Sequence, residues 1–330
     1  MRILEVSRYK DNFMSNQLPF VTEQGESLRD AGCEVDYFFV RGNYVKAVGA
    51  LKKKIQEFKP DVVHAHYGLS AITAELQSLV PVVTTFHNGE THRWDVNLLS
   101  SLFSLRAKHV IYVAQHIHDM VYFKAKNYSI IPCGVTLEDC FLMDKVEARK
   151  KLGWDENKKY VMFGGAFDNL RKNYPLLKEA VDKIKFEIIN HKSSIAFCDI
   201  ECIEMRELTR YDCILRMNAC DVFALPTKNE GSPQALKEAM ACNCPIVATD
   251  VADIKHLLGD LPGHYMLANK KGNQAYWVGD ESSAEEMAEL LKEAFAFNGR
   301  TQGRERIVEL RLTNEQVAER LIEIYKTIID

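Results

Sequence analysis

Short runs of β-branched and aromatic residues alternate with stretches of helical period from the first residues onward, the pattern of parallel strands joined by crossover helices. In the first half this pattern predicts strands over 3–6, 35–40, 62–65, 82–86, 110–113 and 130–132. Helices fill the gaps, and the clearest, over 20–31, closes on Gly32 as a helix stop. A polar, charged stretch over 144–159 precedes a second series, with strands at 160–163, 200–203 (weakly patterned), 222–225, 246–249 and 265–267. Residues 180–199 fit neither period. The end of the chain reads as two helical segments, 284–297 and 314–329, with no strand between them, which leaves the last helix free to pack elsewhere. Two doubly wound domains are predicted, 1–140 and 141–312, with a final helix at 313–330 packing back on the first. No solenoid repeat or low-complexity linker interrupts them.

At 330 residues and 47% apolar content the chain can bury a large core, and ordinary domain size also favours two domains. A formal charge of −4 gives no global basic field, so a nucleic-acid partner is not expected. Any anion must be held locally. The start Met-Arg-Ile-Leu-Glu-Val-Ser-Arg is too short and charged for a signal peptide, and no apolar run approaches the roughly 18 residues of a membrane span. A soluble, cytoplasmic protein is expected. Nine cysteines, an odd number scattered through apolar segments without C-x-x-C spacing, read as reduced core residues rather than a zinc site.

The chemistry concentrates after the strand at 222–225. There the chain runs through Pro226-Thr-Lys-Asn-Glu230-Gly231-Ser232-Pro233 into a helix over 234–242, with Ser232 as the expected N-cap and Pro233 in the first turn. The open N–H groups of that turn make an anion site, to which the helix dipole adds about 0.3–1 kcal/mol. Glu230 precedes the helix and Glu238 lies about two turns inside it. Carboxylates accept hydrogen bonds from vicinal hydroxyls, so a phosphate on the helix flanked by these two groups describes a nucleotide sugar. By spacing alone the pair also fits two solvated glutamates on a helix face.

The stretch Glu230-Gly-Ser-Pro-Gln-Ala-Leu-Lys-Glu238-Ala-Met-Ala-Cys-Asn-Cys-Pro-Ile-Val-Ala-Thr-Asp250, with Met217-Asn-Ala-Cys-Asp-Val-Phe-Ala-Leu-Pro-Thr227 before it, resembles the E-x7-E region of family 4 retaining glycosyltransferases of the GT-B fold. Pro60-Asp-Val-Val-His-Ala-His-Tyr-Gly68 and Val83-Thr-Thr-Phe-His87-Asn-Gly-Glu90 resemble two signatures of that family's N-terminal domain. Ile131-Pro-Cys-Gly134-Val-Thr136 resembles its hinge, and Phe163-Gly-Gly-Ala-Phe-Asp-Asn-Leu-Arg171-Lys172-Asn its phosphate loop. These matches follow the family's order over about residues 1–260.

The resemblance implies two Rossmann-like doubly wound domains facing a central cleft, an acceptor domain followed by a nucleotide-sugar donor domain. It assigns Glu230 to hydroxyls of the donor sugar, Glu238 to the ribose, Arg171 and Lys172 to the diphosphate, and His87 to the neighbourhood of the anomeric centre. Gly165, Gly231, Ser232, Pro233 and Gln234 complete the implied donor site. The implied reaction retains anomeric configuration by a front-face route in which the leaving phosphate takes the acceptor's proton. Neither a metal nor another cofactor is expected, and there is no Asp-x-Asp motif. The implied partners are a nucleotide diphosphate sugar of UDP or GDP type and a glycan or lipid-linked acceptor in surface polysaccharide synthesis.

The sequence departs from the family at two places. A Gly-Gly pair is replaced by the loop Lys10-Asp-Asn-Phe-Met-Ser-Asn16, and the usual Gly-Arg after the second domain's first strand is Gly165-Ala166, which moves the arginine's role to Arg171. His64 and His66, without a nearby carboxylate, read as structural, and His116 and His118 as surface residues. Lys52, Lys53 and Lys54 fit a solvated face or contact with anionic lipid at the inner membrane surface, which Leu98, Leu99, Leu102, Phe103 and Leu105 could deepen or else spend on core packing. The rival functions are a GT-B-like sugar-nucleotide epimerase or phosphorylase and a non-catalytic nucleotide-sugar-binding partner. A Rossmann dehydrogenase is disfavoured because no G-x-G-x-x-G follows a strand.

Overall fold

The computed structural model describes residues 1–8, 19–190, 199–272 and 275–329. The Lys10–Asn16 loop and Cys198 lie outside the described residues. The backbone forms two compact units, 1–136 with 311–330, and 137–310.

In the first unit the strands are β1 (Arg2–Arg8), β2 (Glu34–Val40), β3 (Val62–His66), β4 (Val82–Phe86), β5 (His109–Tyr112) and β6 (Tyr128–Ile130). Between them lie α1 (Pro19–Asp30), α2 (Val48–Phe58), α3 (Gly68–Gln77), α4 (Trp94–Ser104) and α5 (Gln115–Met120). The second unit contains α6 (Lys145–Leu152), β7 (Lys159–Phe163), α7 (Tyr174–Ile189), β8 (Ile200–Ile203), α8 (Arg210–Ala219), β9 (Val222–Leu225), α9 (Gln234–Ala241), β10 (Ile246–Thr249), α10 (Ile254–Leu258), β11 (His264–Leu267), α11 (Ser283–Ala296) and α12 (Gly303–Glu309). The final helix, α13 (Asn314–Ile329), belongs to the first unit.

Both sheets are parallel throughout, ordered β2-β1-β3-β4-β5-β6 and β11-β10-β9-β7-β8. Every residue of β3 and β4 is buried, as a parallel sheet covered on both faces requires. The chain reverses its direction of winding between β1 and β3 and again between β7 and β9. At such switch points the loops leaving the carboxyl ends of the strands diverge and open a crevice. The loops after β7 and β9 carry Lys172 and Glu230, and that after β4 carries His87.

Several expectations change in the structure. The region over 180–199 continues α7 to Ile189, with Leu177, Ala180, Val181 and Ile184 buried on one face, while residues 191–198 lie outside the described residues. The charged stretch after 144 is helix α6, because the Asp144 carboxylate accepts the N–H groups of Val146 and Glu147 and Gly153 ends the helix with φ 68°. An additional short helix, α12, stands between α11 and α13. His116 and His118 are buried rather than on the surface: His118 stacks on Tyr128 at 4.3 Å and meets Tyr112 edge-on.

The first unit's core joins Ile3, Val62, Val83 and Ile111 of the sheet to Val317, Leu321 and Tyr325 of α13. Gly134 lets this last helix approach: a Cβ there would lie 2.3 Å from Asn314 Oδ1. In the second unit a buried Asp221 accepts from Arg149 at 2.6 Å, Lys145 at 2.9 Å and the Tyr160 N–H at 2.8 Å, tying α6 to β7 and β9. Burial alone would raise its pKa, but these donors hold it below the usual range. The described cysteines are free thiols.

Candidate active site

In the second unit, the loop from Gly164 to Asn173 folds over the end of β7 and is stitched to the loop that follows β9. The Lys228 N–H donates to Arg171 O at 2.9 Å, and Thr227 Oγ1 lies 3.2 Å from the same oxygen. Gly165 is required by close approach, since a Cβ there would come within 2.8 Å of the Lys172 Cγ. Asn173, at φ 62°, turns the chain into α7.

This stitching brings Arg171 and Lys172 together with Glu230. Lys172 Nζ donates to Glu230 Oε1 at 2.7 Å, Thr227 Oγ1 donates to the same oxygen at 3.0 Å, and Arg171 Nη1 reaches Oε2 at 3.4 Å. Glu230 is only 5% exposed. Burial would raise its carboxyl pKa, but Lys172 and Arg171 outweigh that and hold it below the usual range. The result is an ionised carboxylate flanked by two cations, a group able to accept from hydroxyls while its cations face an anion.

Gly231, Ser232, Pro233 and Gln234 lead into α9. The N-cap is Pro233, which corrects the assignment to Ser232; its φ and ψ of −70° and 116° are extended, and it has no side-chain acceptor. No cap side chain therefore occupies the first-turn N–H groups. Asp253 stands beside Ser232 and Lys237, and burial pushes its carboxyl up to about 6 against their opposing pull. Within α9, Glu238 Oε1 accepts from Arg210 Nη2 at 2.9 Å. Arg210 and Asp253 belong to no sequence motif of the site, because each meets its partner only through the fold.

His87 belongs to the first unit. Its backbone N–H donates to the buried Glu90 carboxylate, at 3.2 Å from Oε1, which also accepts the Gly68 N–H at 3.0 Å and so joins the β4 loop to the start of α3. Burial raises the Glu90 pKa against these bonds. The His87 ring packs on Phe20 and Tyr67, with centroids 4.6 and 5.0 Å away, and its Nε2 lies 3.1 Å from His66 Nδ1. His66 Nε2 in turn lies 2.6 Å from Glu5 Oε2. The sequence reading of His64 and His66 as lacking a carboxylate is corrected here: Glu5 arrives from β1, in parallel register with β3. A charged residue in the middle of the apolar run Ile3-Leu-Glu-Val6 was the signal available in the sequence.

Two family models match the chain, Glycosyltransferase Family 4 over residues 35–139 and Glycosyl transferases group 1 over residues 158–296. A curated relative, the putative teichuronic acid biosynthesis glycosyltransferase TuaC of Bacillus subtilis (strain 168), is 22% identical over 248 residues. That match covers 67% of this chain and 61% of the relative, so the chain spans less than two thirds of the relative's length. Among solved structures, sucrose-phosphate synthase from Thermosynechococcus elongatus has a TM-score of 0.77 at 18% identity, covering 99% of both chains. Anabaena HepE, solved in complex with UDP-glucose, has a TM-score of 0.70 at 14% identity, covering 99% of this chain and 100% of that one. At these identities the structures establish the fold, two Rossmann-like units of the GT-B class.

Proposed function

Since the chain belongs to the group 1, family 4 glycosyltransferases of the GT-B fold, we propose that it is a retaining hexosyltransferase using a nucleotide diphosphate sugar of UDP or GDP type. The acceptor in this reading is a glycan or glycolipid of surface polysaccharide synthesis, and the reaction needs no metal. The observation that carries the proposal is the convergence of Lys172 and Arg171 on the buried Glu230 carboxylate, at the β7/β9 switch point beside α9.

The chemistry follows from the leaving group. A departing nucleoside diphosphate accumulates negative charge, and preorganised cations in a water-poor site stabilise it where it forms. Lys172 and Arg171 supply that charge, and the α9 N–H groups receive a phosphate oxygen. Glu230 accepts from the sugar's hydroxyls and Glu238, steadied by Arg210, from the ribose. The leaving phosphate removes the acceptor's proton on the face it vacates. His87 stands beside the sugar in this scheme, an assignment supported by family resemblance.

A lipid-linked acceptor and work at the cytoplasmic membrane face belong to the same reading, and α4 supports them. This helix buries its polar residues Asn97, Ser100, Ser101 and Ser104 and exposes Trp94 (71%), Leu98, Leu99 and Leu102, with Leu105 exposed at its C-cap. Among the described residues no helix is long and apolar enough to cross a membrane.

Thermal-shift measurements with UDP-, GDP-, ADP- and CMP-sugars test the donor, because a ligand bound to the native state raises its apparent stability by mass action. One UDP- or GDP-sugar should stabilise the protein, and Glu238→Ala should weaken that binding in calorimetry. Product analysis with donor alone and then with donor and acceptor follows. Isomerised donor would mean an epimerase, phosphate-dependent cleavage a phosphorylase, and binding without turnover a non-catalytic partner. Stabilisation by none of the panel would overturn the reading.

A further inference from the structure

Glu5, His66 and His87 form a continuous hydrogen-bonded chain from the middle of β1 to the end of β4. Glu5 and His66 are both fully buried. Glu5 Oε2 lies 2.6 Å from His66 Nε2, and His66 Nδ1 lies 3.1 Å from His87 Nε2. A carboxylate only accepts, whereas a neutral imidazole donates from one nitrogen and accepts at the other. With Glu5 ionised, His66 must carry its proton on Nε2 to donate to it, which leaves Nδ1 as an acceptor. Among the described residues its partner is His87 Nε2, at 3.1 Å, which must then carry the N–H. The order of donors is thus imposed from the buried end.

We propose that Glu5 and His66 are positioning residues for His87: they fix its imidazole as the Nε2–H tautomer and leave Nδ1 as a hydrogen-bond acceptor. Cys133 Sγ lies 3.8 Å from that Nδ1, and a thiol there can donate to it. That this acceptor works beside a transferred sugar rests on the glycosyltransferase reading above; the tautomer itself does not.

His64 lies stacked on His66, with Nδ1 2.6 Å from the Tyr325 hydroxyl and Nε2 2.7 Å from Thr85 Oγ1. Burial, then the neighbouring His66 and His87, push His64 well below the ordinary histidine range, and burial pushes the Tyr325 phenol well above its own. Both stay neutral. Burial likewise lifts the Tyr67 phenol, with Glu90, Arg8 and Cys133 as its charged or titratable neighbours. Glu5, His64 and His66 offer atoms within 4.8 Å of one another, a span that would admit a cation. The Gln24 Nε2 stands there instead, 3.5 Å from Glu5 Oε1, 3.3 Å from His64 Nδ1 and 3.4 Å from His66 Nε2.

One further proton on the pair changes the outcome. If His66 takes it, its Nδ1 becomes a donor and His87 must carry its own hydrogen on Nδ1. If His87 takes it, both of its nitrogens carry hydrogen. Either way, His87 Nδ1 turns from acceptor to donor.

The test is nitrogen-15 NMR of the histidine rings in the full chain, with His87 assigned by the signals lost in His87→Gln. At pH 8, wild-type His87 should show Nε2–H with an unprotonated Nδ1. In Glu5→Gln and in His66→Phe, each checked for a retained thermal transition, His87 should move to a tautomer mixture or to Nδ1–H. Wild-type His87 in the Nδ1–H form, or a tautomer unmoved in both variants, overturns the proposal. The spectra need no substrate, so a failed search for transferase activity leaves this result decisive.

Discussion

At Glu230 one buried carboxylate answers to two cations of unequal strength. Lys172 approaches at 2.7 Å with its side chain 13% exposed, whereas Arg171 stands at 3.4 Å and is about half exposed. Lys172 is therefore the partner whose loss matters most. In Lys172→Ala the proposed function predicts a loss of about 2–4 kcal/mol of transition-state stabilisation, the scale of one removed charge-stabilising donor. Steady-state kinetics on the donor identified by thermal shift measure it, and wild-type turnover would refute the phosphate role. The same change strands a buried carboxylate, so stability should fall as well. Adding Glu230→Gln should restore the melting temperature but not the rate, which separates the two effects. Lys172 and Glu230 were legible from residue type and motif. Arg210 was not, because its Glu238 partner lies 28 positions away. Glu5 and His66 are 61 positions apart and meet only through strand register.

Elements carry the next constraints, and α4 has the inverse of ordinary amphipathicity. Asn97 explains part of this: its Nδ2 donates to Met120 O at 2.9 Å and its Oδ1 accepts the Tyr122 N–H at 3.2 Å, so the polar face serves the unit's own loops. The leucines are left outward. Core packing, the alternative open from sequence, does not account for Leu98, Leu99, Leu102 or Leu105, since all are at least 36% exposed. Leu99→Ser with Leu102→Ser should reduce co-sedimentation with phosphatidylglycerol vesicles by about tenfold or more, given roughly 1.5–3 kcal/mol per buried leucine. Stability should change by only about 0.5 kcal/mol, as for surface substitutions in general. Unchanged vesicle binding would remove α4 from the membrane reading. On α3, Glu75 buries Oε1 without a hydrogen-bond partner among the described residues, and burial pushes its carboxyl up to about 8 against Arg106. A raised folded pKa means that the native state holds the extra proton between the ordinary value and about 8. Stability therefore falls as pH rises through that window. Glu75→Gln should be more stable than wild type at pH 8, by a few kcal/mol at most, and nearly equal to it at pH 4.5. A difference in urea midpoint that does not vary with pH would disprove the assignment. Element type was readable wherever burial imposed a clean period, as in β9 and α13. It failed at α12, seven residues in which Gly303 and Ile307 are the buried positions, too few to mark a period.

At the scale of the molecule, the last helix returns to the first unit although the second unit's sequence separates them. Val135 bridges Thr313 in parallel, Asn314 Nδ2 donates to Thr136 Oγ1 at 2.7 Å, and Arg320 Nη2 donates to Ile130 O at 3.0 Å. These bonds guide α13 onto the sheet, but burial of its apolar face stabilises the docked helix more than they do. Tyr325 is fully buried against the sheet core, with its hydroxyl 2.6 Å from His64 Nδ1. Tyr325→Ala should cost about 3–5 kcal/mol, as aromatic-to-alanine changes in cores do, and it also removes a hydroxyl that His64 needs. Because the units have separate cores, the loss should be local. Hydrogen exchange read peptide by peptide should show β1, β3, β4 and α1 losing protection while β7, β9 and α9 keep theirs. If protection fell equally throughout 137–310, the two cores would be one cooperative system and α13 would stabilise the whole chain rather than the unit it packs on.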